Sequence, residues 1–427
     1  MSQGWIGVDF GTSNSAVAIA DGAAPPRLVP FASTRGDRPT FPSVLCFEPR
    51  KPTSAGWAAI ERYLATEHKG RFIQSLKAYL GDRSFEGTVV GTKYYALERL
   101  IAIIGKHIGD HLTGPSPRRI VLGRPVHFSV PADDELDQFA ARRLHDAMRL
   151  AGFDEIAFEY EPVAAAYAYE ARLARDERIL IGDFGGGTSD FTVMQVGPGV
   201  RQRGRRPTDI LGTDGVPMAG DAFDKHLVRH LVAPRLGLGD EYLSPPDKVL
   251  PVPSWPYERL ERWHHLSFLR APDTLDMLER VRRTAAHPAK LDAFLWLIRH
   301  DLGFQLHDAV QRTKFALSAA PEAEFHFESG AVTIRTRVTR ADFERWIGDD
   351  VATMAACVDR LMAATRLAPG DIDRVFLTGG SSFVPAVRQI FFGRFGADTV
   401  TGGEELTSVA TGLALRAREH WPAHAGA

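Results

Sequence analysis

Two short segments of the chain place acids, glycines and hydroxyl residues directly after an apolar strand, a combination that suits phosphate binding. Only glycine lets the main chain take positive φ and bring its amides close to a phosphate. Carboxylates beside such a turn can hold Mg²⁺ through its water shell. The residues that supply this chemistry are Asp9, Gly11, Thr12 and Ser13 in the first segment, and Asp183, Gly185, Gly186, Gly187, Thr188 and Asp190 in the second. We expect Asp9 and Asp183 at the metal, with Asp190 as a third candidate.

Each glycine segment also has a plainer interpretation, as a strand, turn and strand closed by an Asx-type hydrogen bond. Two matching copies in one chain favour the phosphate interpretation, because two phosphate-binding turns suit a polyphosphate. No GxxxxGK[ST] sequence occurs, which excludes a P-loop as the phosphate cradle.

The elements around the glycines indicate how they are positioned. β-type residues flank both turns, so each segment predicts a hairpin, and together they predict a duplication at domain scale with a ligand between the two halves. Further along, a strand and then a helix are expected over 119–151, a helix near Asp221, an irregular connection over 238–256, helices over 291–317, a hairpin over 325–338 and a strand at 375–377. The fold class is therefore α/β.

Composition narrows the class of protein. The chain has 427 residues and is 44% hydrophobic, enough for two or three domains with sizeable cores. Its 51 Lys and Arg nearly balance 53 Asp and Glu, which predicts no nucleic-acid or membrane partner. Two distant cysteines, Cys46 and Cys357, and the lack of a signal peptide or a long apolar run predict a cytoplasmic location.

Several motifs in order resemble the heat-shock-70 (DnaK-type) family over almost the whole of its ATPase domain. They are IGVDFGTSNS, GRPVHFSVP, YEPVAAAYAYE, GDFGGGTSD and LTGGSSFVP. The resemblance implies an actin-like ATPase fold, with ribonuclease H-like duplicated domains forming two lobes around a nucleotide cleft. Lobe I would span 1–182, with subdomain IB at 38–114 and a return at 402–427. Lobe II would span 183–401, with subdomain IIB at 236–336 carrying a helical insert at 238–308.

The resemblance also implies roles for individual residues. Lys77 matches the lysine that contacts the γ-phosphate and the attacking water, and Glu161 matches the acid that helps to place water and magnesium. Asp183 and Thr188 would orient the same water, and Pro162 matches a hinge proline. The positions implied for the rest of the nucleotide are Gly220 and Asp221 near the β-phosphate, and Lys314, Phe315, Ser318, Gly379, Gly380 and Ser381 at the adenosine.

Some of these residues have ordinary structural alternatives. Lys77 and Lys314 could be solvated lysines, and Glu161 with Pro162 could simply begin a helix. The chain also departs from the family pattern. Phe315 stands where the family usually stacks an arginine on adenine, Gln311 where it has an acid, and Leu406 where it has an aspartate.

Taken together, the sequence predicts a Mg²⁺-dependent, slow ATPase that binds ATP and ADP and acts as a chaperone-like nucleotide switch. The chain is most similar to short, YegD-type bacterial homologues, and no peptide-binding domain is expected after the nucleotide-binding part. A protein partner could bind the 238–308 insert, where Trp255, Tyr257, Trp263, His264 and His265 form either an interface or a packed core. The alternatives are a filament-forming actin-like ATPase and a small-molecule kinase of the same superfamily.

Overall fold

The computed structural model describes residues 4–22, 24–34, 36–65, 70–112, 118–128, 133–170, 173–204, 206–262, 269–330, 332–402 and 408–421. The strands are β1 (Trp5–Asp9), β2 (Asn14–Ala20), β3 (Arg27–Leu28), β4 (Thr40–Pro42), β5 (Val44–Phe47), β6 (Ser54–Ala55), β7 (Arg71–Gln74), β8 (Gly87–Val90), β9 (Lys93–Ala96), β10 (Arg119–Arg124), β11 (Glu155–Tyr160), β12 (Glu177–Phe184), β13 (Ser189–Val196), β14 (Ile210–Val216), β15 (Glu241–Ser244), β16 (Lys248–Pro251), β17 (Glu322–Ser329), β18 (Val332–Thr339), β19 (Arg374–Thr378) and β20 (Val400–Gly402).

The α-helices are α1 (Gly56–Ala65), α2 (Leu97–Asp110), α3 (Asp134–Leu150), α4 (Glu161–Glu170), α5 (Pro198–Arg203), α6 (Gly220–Leu227), α7 (Trp255–Glu261), α8 (Pro272–Arg282), α9 (Pro288–Arg299), α10 (Gly303–Ala319), α11 (Arg340–Trp346), α12 (Gly348–Thr365), α13 (Pro385–Phe395) and α14 (Ser408–His420). Short 3₁₀ helices cover Leu76–Tyr79, Pro207–Asp209, Ala233–Leu236, Pro369–Asp371 and Gly380–Phe383, and one π-helical turn covers Val228–Val232. Among the helices of these described residues, none has the length and apolar character needed to cross a membrane.

Two sheets repeat one strand arrangement. The first has the order β3-β2-β1-β10-β11 and the second the order β14-β13-β12-β19-β20. In each sheet an antiparallel hairpin, β1–β2 or β12–β13, is followed by two parallel neighbours. Both predicted hairpins are therefore confirmed, and the duplication seen in the sequence is a duplication of whole sheets.

The first sheet is covered on both faces. Along β2, Val17 and Ile19 join the large core that includes residues of α2 and α3, while Ala16, Ala18 and Ala20 pack against alanines of α14. A Cβ atom on Gly7 of β1 would lie 2.2 Å from the backbone nitrogen of Ala414, so helix and sheet are nearly in backbone contact. Small residues on this face thus allow a close approach that larger side chains would prevent.

Helix α14 also fixes α4. A Cβ atom on Gly412 would lie 1.6 Å from the carbonyl oxygen of Ala164, so the two helices touch through their backbones. Because α4 begins at Glu161, this contact helps to set where that carboxylate stands.

The chain divides into two compact units. The first comprises Met1–Ala219, Thr353–Ser382 and Val387–Ala427 and contains both five-strand arrangements; the second comprises Gly220–Ala352 and Phe383–Ala386. In the second unit the predicted helices α9 and α10 and the predicted hairpin β17–β18 are confirmed. The lobe and subdomain boundaries drawn from the sequence stay predictions.

Two segments differ from the sequence interpretation. The stretch over 238–256, expected to be irregular, contains the hairpin β15–β16, whose strands pair from Glu241 with Pro251 to Ser244 with Lys248. The Pro-, Gly- and Arg-rich stretch over 197–207, whose composition favours a loop, contains α5, which has Pro198 in its first turn. Proline is compatible with a first helical turn because the amide there needs no intrahelical partner.

The aromatic cluster of the insert is part core and part surface. Tyr257 is fully buried, stacks on Phe294 with ring centroids 4.7 Å apart, and donates its hydroxyl to the carbonyl of Leu236 at 2.9 Å. Trp255 is 37% exposed and lies under the guanidinium of Arg259. The other members of the cluster, Trp263, His264 and His265, lie outside the described residues, as does Leu406.

Candidate active site

The first glycine turn connects β1 to β2 and is held by a serine from a neighbouring segment. A Cβ atom on Gly11 would lie 2.0 Å from the carbonyl oxygen of Asn14, so the turn requires glycine. Ser43 donates its hydroxyl to the carbonyl of Gly11 at 2.7 Å and its amide to the carbonyl of Ser13 at 2.9 Å. Thr12 and Ser13 stay partly exposed, so their side chains are accessible at the turn.

The second glycine turn connects β12 to β13. The amide of Gly185 donates to the carbonyl of Thr188 at 2.9 Å and closes the turn, while Asp183 and Asp190 are directly paired across the hairpin. Gly186 and Gly187 are partly exposed between them. The turn thus presents its glycines and places two carboxylates at its base.

The end of a third strand, β19, lies beside the second glycine turn. Thr378, the last residue of β19, pairs with Asp183, and its hydroxyl donates to the Asp183 carboxylate at 3.4 Å. The next residue, Gly379, has φ of 84°, and a Cβ atom there would lie 2.0 Å from the carbonyl oxygen of Phe184. Gly379 is therefore required for the chain to pass the glycine turn, independently of any ligand.

Lys77 and Glu161 form an ion pair. Nζ of Lys77 donates to Oε1 of Glu161 at 2.6 Å, and only 10% and 11% of the two side chains are exposed. Burial by itself lowers the pKa of Lys77, but the carboxylates of Glu161 and Asp9 outweigh it, so the pKa of Lys77 lies above its usual value. The ammonium group is therefore charged at neutral pH, and Lys77 is not a solvated surface lysine.

The carboxylates at the strand ends lie close enough to one another to interact strongly. Burial and the charge of Glu161 raise the pKa of Asp9 to about 8, in spite of Lys77, and Asp183 adds to this rise. Burial and Glu161 likewise raise the pKa of Asp183 to about 7. Burial and the charge of Asp183 raise the pKa of Asp190 well above its usual range, although Thr188 donates a hydrogen bond to it. These carboxyl groups of the first unit therefore resist ionising together.

This donor set fits a hydrated Mg²⁺ ion. The cluster offers oxygen ligands, which Mg²⁺ prefers, and its four carboxylates, Asp9, Glu161, Asp183 and Asp190, face one lysine. A bound cation would offset the burial and the mutual repulsion that raise the pKa values of Asp9, Asp183 and Asp190. Within the described ranges, no three His, Cys, Asp or Glu side chains are grouped so that they could coordinate a metal ion directly.

In the second unit, α10 and the start of α6 are joined by Lys314. Nζ of Lys314 lies 2.7 Å from Oδ1 of Asp224 and donates to the carbonyl of Gly220 at 3.1 Å. Gln311 also hydrogen-bonds to Asp224, and burial raises the pKa of Asp224 despite the charge of Lys314. Lys314 is thus an internal lysine that fixes the first turn of α6, not an exposed helix lysine.

The remaining predicted residues of the second unit lie on the same two helices. Ser318 donates its hydroxyl back to the carbonyl of Lys314 at 3.1 Å, one turn earlier in α10. Phe315 is 70% exposed, the largest exposed fraction among the exposed large apolar side chains that are described. Asp221 lies in the first turn of α6, where a negative charge is favoured by the helix dipole.

In the first unit, the LTGGSS segment continues from β19 into a short 3₁₀ helix. Gly380 begins this helix, and Ser381 is buried within it. Ser382 donates its hydroxyl to the carbonyl of Gly379 at 2.6 Å, and Arg388 donates to the carbonyl of Ser382 at 2.9 Å. The segment is therefore held by its own hydrogen bonds.

Two residues of the site were missed by reasoning from the sequence. Thr378 directly follows the strand predicted at 375–377 and precedes the glycines of the LTGGSS segment, and this position was the available signal. Ser43 had no such signal, because its hydrogen bonds to Gly11 and Ser13 join segments about thirty residues apart, as the separation of 32 between Ser43 and Gly11 indicates. Only the fold reveals that contact.

Comparison with known proteins agrees with this geometry. A family model described as Hsp70 protein matches residues 129–235 and 300–425, more than half of the chain. The chain is 26% identical over 425 residues to a protein named Chaperone protein DnaK from Cenarchaeum symbiosum (strain A), a match that covers 96% of this chain and 54% of that protein. A protein of the same name from Nitrosopumilus maritimus (strain SCM1) is 25% identical over 418 residues, with 96% of this chain and 55% of that protein covered. The chain spans about half the length of these curated relatives.

The matched ranges include Glu161, the second glycine turn, α10 and the LTGGSS segment. Both the motif order in the sequence and the repeated sheets in the structure agree with the match. The chain therefore belongs to the Hsp70 protein family, and its α/β architecture is the actin-like ATPase fold of that family.

Proposed function

We propose that this chain binds ATP together with Mg²⁺ and hydrolyses it slowly, as a chaperone-like nucleotide switch. The observation that carries the proposal is the Lys77–Glu161 ion pair, which lies beside the carboxylates of both duplicated hairpins. A single protonated lysine among several carboxylates suits a phosphate chain that arrives with its own cation.

The phosphates would lie on the two glycine turns, whose backbone amides and hydroxyls act as donors. Bound Mg²⁺ would neutralise charge on the phosphate oxygens, and Asp9 and Asp183, with Asp190 as a third candidate, would hold it through its water shell. Lys77 would stabilise the charge that develops on the γ-phosphoryl oxygens. These roles need positioning more than covalent chemistry.

In the proposed reaction, a water molecule attacks the γ-phosphorus. A new oxygen–phosphorus bond forms, the bond to the β–γ bridging oxygen breaks, and its electron pair leaves with ADP. Glu161, Asp183 and Thr188 would orient the water, and its proton would pass through the carboxylate of Asp183 to solvent. The products are ADP and inorganic phosphate.

We further propose that the β-phosphate side involves Gly220 and Asp221, and that the adenosine contacts Lys314, Ser318, Gly379, Gly380 and Ser381. Phe315 would stack on the adenine ring in place of the arginine that is usual in the family. Two observations support this assignment. The exposure of Phe315 leaves an aromatic face accessible to a base. The ion pair of Lys314 with Asp224 fixes α10, the helix that carries Phe315.

Phosphate release by the purified chain tests the proposal. With Mg²⁺ and ATP we expect slow release of phosphate that stops when EDTA removes the metal, and calorimetric binding of ADP that weakens without Mg²⁺. A chain that neither binds ADP nor releases phosphate under these conditions would overturn the proposal.

Two other functions of the same fold are less favoured by the family comparison, and each has a direct test. A filament-forming ATPase would sediment in ATP above a critical concentration. A small-molecule kinase would transfer phosphate faster to an added acceptor alcohol than to water, with Glu161 or Asp183 as base. Turnover that is independent of acceptors, without sedimentation, would favour the switch.

Other parts of the proposal concern the surroundings of the protein. Cys46 and Cys357 are both buried free thiols, which fits a reducing, cytoplasmic compartment. A protein partner is proposed for the 238–308 insert, where Trp255 offers exposed aromatic surface. Similarity to the short, YegD-type homologues and the stated lobe boundaries remain part of this proposal.

A further inference from the structure

Arg143 of α3 is a buried arginine that the proposed chemistry does not use. Only 7% of its surface is exposed. Its Nε atom donates to the carboxylate of Glu98 in α2, which neutralises its charge, and its guanidinium lies over the ring of Phe139 at 5.3 Å from the centroid. Burying a guanidinium is costly unless its donors are used, so the rest of this network is informative.

Three further hydrogen bonds of Arg143 all go to carbonyl oxygens of one loop. Nη1 donates to the carbonyls of Tyr79 and Asp82, each at 3.3 Å, and Nη2 donates to the carbonyl of Phe85 at 3.1 Å. One side chain therefore holds the start, the middle and the end of the loop 79–85. Arginine is the residue type suited to this, because its planar group carries five donors in a fixed geometry.

The same loop continues directly from the turn that carries Lys77. Tyr79 is the last residue of the 3₁₀ helix that contains Lys77, and the amide of Leu80 donates to the Lys77 carbonyl at 3.2 Å. Tyr79 and Phe85 stack with centroids 4.3 Å apart, which closes the loop on itself. The loop and the 3₁₀ helix thus form one small unit.

This small unit needs external support. The residue before it, Ser75, is a non-glycine residue with φ of 55°, a conformation that costs of the order of 1 kcal/mol and persists only where its surroundings impose it. The second attachment of the loop to α3, between Arg83 and Glu135, is an ion pair of two exposed side chains and is weak for that reason. Leu76 and Leu80 anchor the unit by apolar packing in the core, and Arg143 adds a buried polar attachment that fixes the carbonyls of the loop.

We propose that Arg143 is a positioning residue for phosphoryl transfer, which holds the 3₁₀ helix so that Nζ of Lys77 stays on Glu161 and at the γ-phosphate. The inference rests on the proposed function. It assigns Arg143 no contact with nucleotide, so its loss should impair turnover much more than nucleotide binding.

Three variants test this inference. Arg143→Met keeps the apolar stem but loses every donor, Arg143→Lys keeps the charge and can still serve part of the network, and Arg142→Met removes the neighbouring, exposed arginine of the same helix as a matched control. We expect Arg143→Met to lower kcat about tenfold or more while the Kd of Mg-ADP changes by less than about threefold. Arg143→Lys should recover part of the loss, and Arg142→Met should behave as wild type.

If Arg143 only stabilised the fold, the effect of Arg143→Met on kcat would not depend on the presence of Lys77. In a Lys77→Met background, Arg143→Met should give no further loss of kcat, because the lysine that it positions is absent. The same loss in both backgrounds, or turnover of Arg143→Met equal to that of Arg142→Met, would overturn the inference. If Arg143→Met does not fold, Arg143→Lys and Glu98→Gln are measured in its place. Each should lower kcat by a smaller factor, leave the Kd of Mg-ADP nearly unchanged, and give no further loss of kcat in the Lys77→Met background.

A second readout does not depend on ATP hydrolysis. Acetylation of Lys77 by an amine-reactive ester, followed by mass spectrometry, reports how well its ammonium group is protected. We expect Arg143→Met to speed the labelling of Lys77 about threefold or more relative to Arg142→Met, because the pairing with Glu161 loosens. Unchanged labelling would contradict the inference even if the chain proved not to hydrolyse ATP, whereas absent turnover with faster labelling would contradict only the proposed function.

Discussion

Oε1 of Glu161 lies 2.6 Å from Nζ of Lys77, although the two residues are 84 positions apart in the chain. Glu161 begins α4, and Lys77 lies in the 3₁₀ helix Leu76–Tyr79. Their pairing is therefore a product of the whole first unit, and it has separate consequences for stability and for turnover.

Removal of Lys77 alone should destabilise the protein and remove most of its turnover, with a measurable residue. In Lys77→Met the carboxylate of Glu161 loses its partner in a nearly buried site, which costs about 3–5 kcal/mol of unfolding free energy. Adding Glu161→Gln should restore part of that stability, because the unpaired charge is gone, but not phosphate release. Urea unfolding and phosphate assays measure the two effects.

The matched control for this experiment is Lys106→Met, which removes an exposed lysine of α2. It should change the unfolding free energy by less than about 0.5 kcal/mol and leave turnover intact. Wild-type turnover in Lys77→Met, or a double variant no more stable than the single one, would contradict the assignment of the pair.

The contact between α14 and α4 predicts a steric effect. Gly412→Ala places a Cβ atom 1.6 Å from the carbonyl oxygen of Ala164, so the helices must separate. We expect a loss of about 1–3 kcal/mol in unfolding free energy and a lower kcat, since Glu161 begins the displaced helix. Gly393→Ala in α13 meets nothing within 4 Å and should instead stabilise by up to about 1 kcal/mol. Equal stabilities of the two variants would refute the close contact.

Such contacts mark what the sequence could and could not predict. The hairpins β1–β2 and β12–β13 were predictable, because their glycine turns and the apolar residues that flank them are local signals. The pairing of Asp183 with Thr378 and the contacts of Arg143 with the loop 79–85 were not, since each joins segments that only the fold brings together. The β15–β16 hairpin was hidden because its turn contains Pro245 and Pro246, which locally suggest an irregular connection.

The two carboxylates of the second hairpin should differ in their importance for magnesium. Asp183 is partly exposed, whereas Asp190 is 4% exposed and accepts a hydrogen bond from Thr188. We expect Asp183→Asn to raise the Mg²⁺ concentration that supports half-maximal turnover about tenfold or more, and Asp190→Asn to have a smaller effect. Titration of phosphate release with Mg²⁺ measures both. The reverse order would place the metal on Asp190.

Stability should fall on acidification because of His230 in the second unit. Its ring stacks on Trp346 with centroids 4.4 Å apart, and although His230 as a whole is exposed, partial burial of the ring, together with the nearby His226, Arg229 and Arg345, lowers the pKa of His230. The unfolded chain binds a proton near pH 6.5 while the folded chain resists it, so this contribution is present above about pH 6.5 and is lost below it.

The variant His230→Phe keeps a flat ring on Trp346 but has no proton to bind. Urea unfolding at pH 8 measures the packing difference alone, since His230 is neutral there in both states. Between pH 8 and pH 5 the variant should then lose less unfolding free energy than the wild type. A loss equal to that of the wild type would exclude His230 as a source of the pH dependence.

Phe315 should determine how well the base is held, without affecting the fold. Because its side chain is 70% exposed, Phe315→Ala should change the unfolding free energy by less than about 0.5 kcal/mol. Loss of stacking on adenine, of the order of 1 kcal/mol, should raise the Kd of Mg-ADP about fivefold. Binding of inorganic triphosphate, which has no base, should be unchanged, and Leu150→Ala at an exposed site of α3 serves as the control. Equal weakening of triphosphate and ADP binding would mean that Phe315 acts on the phosphates instead.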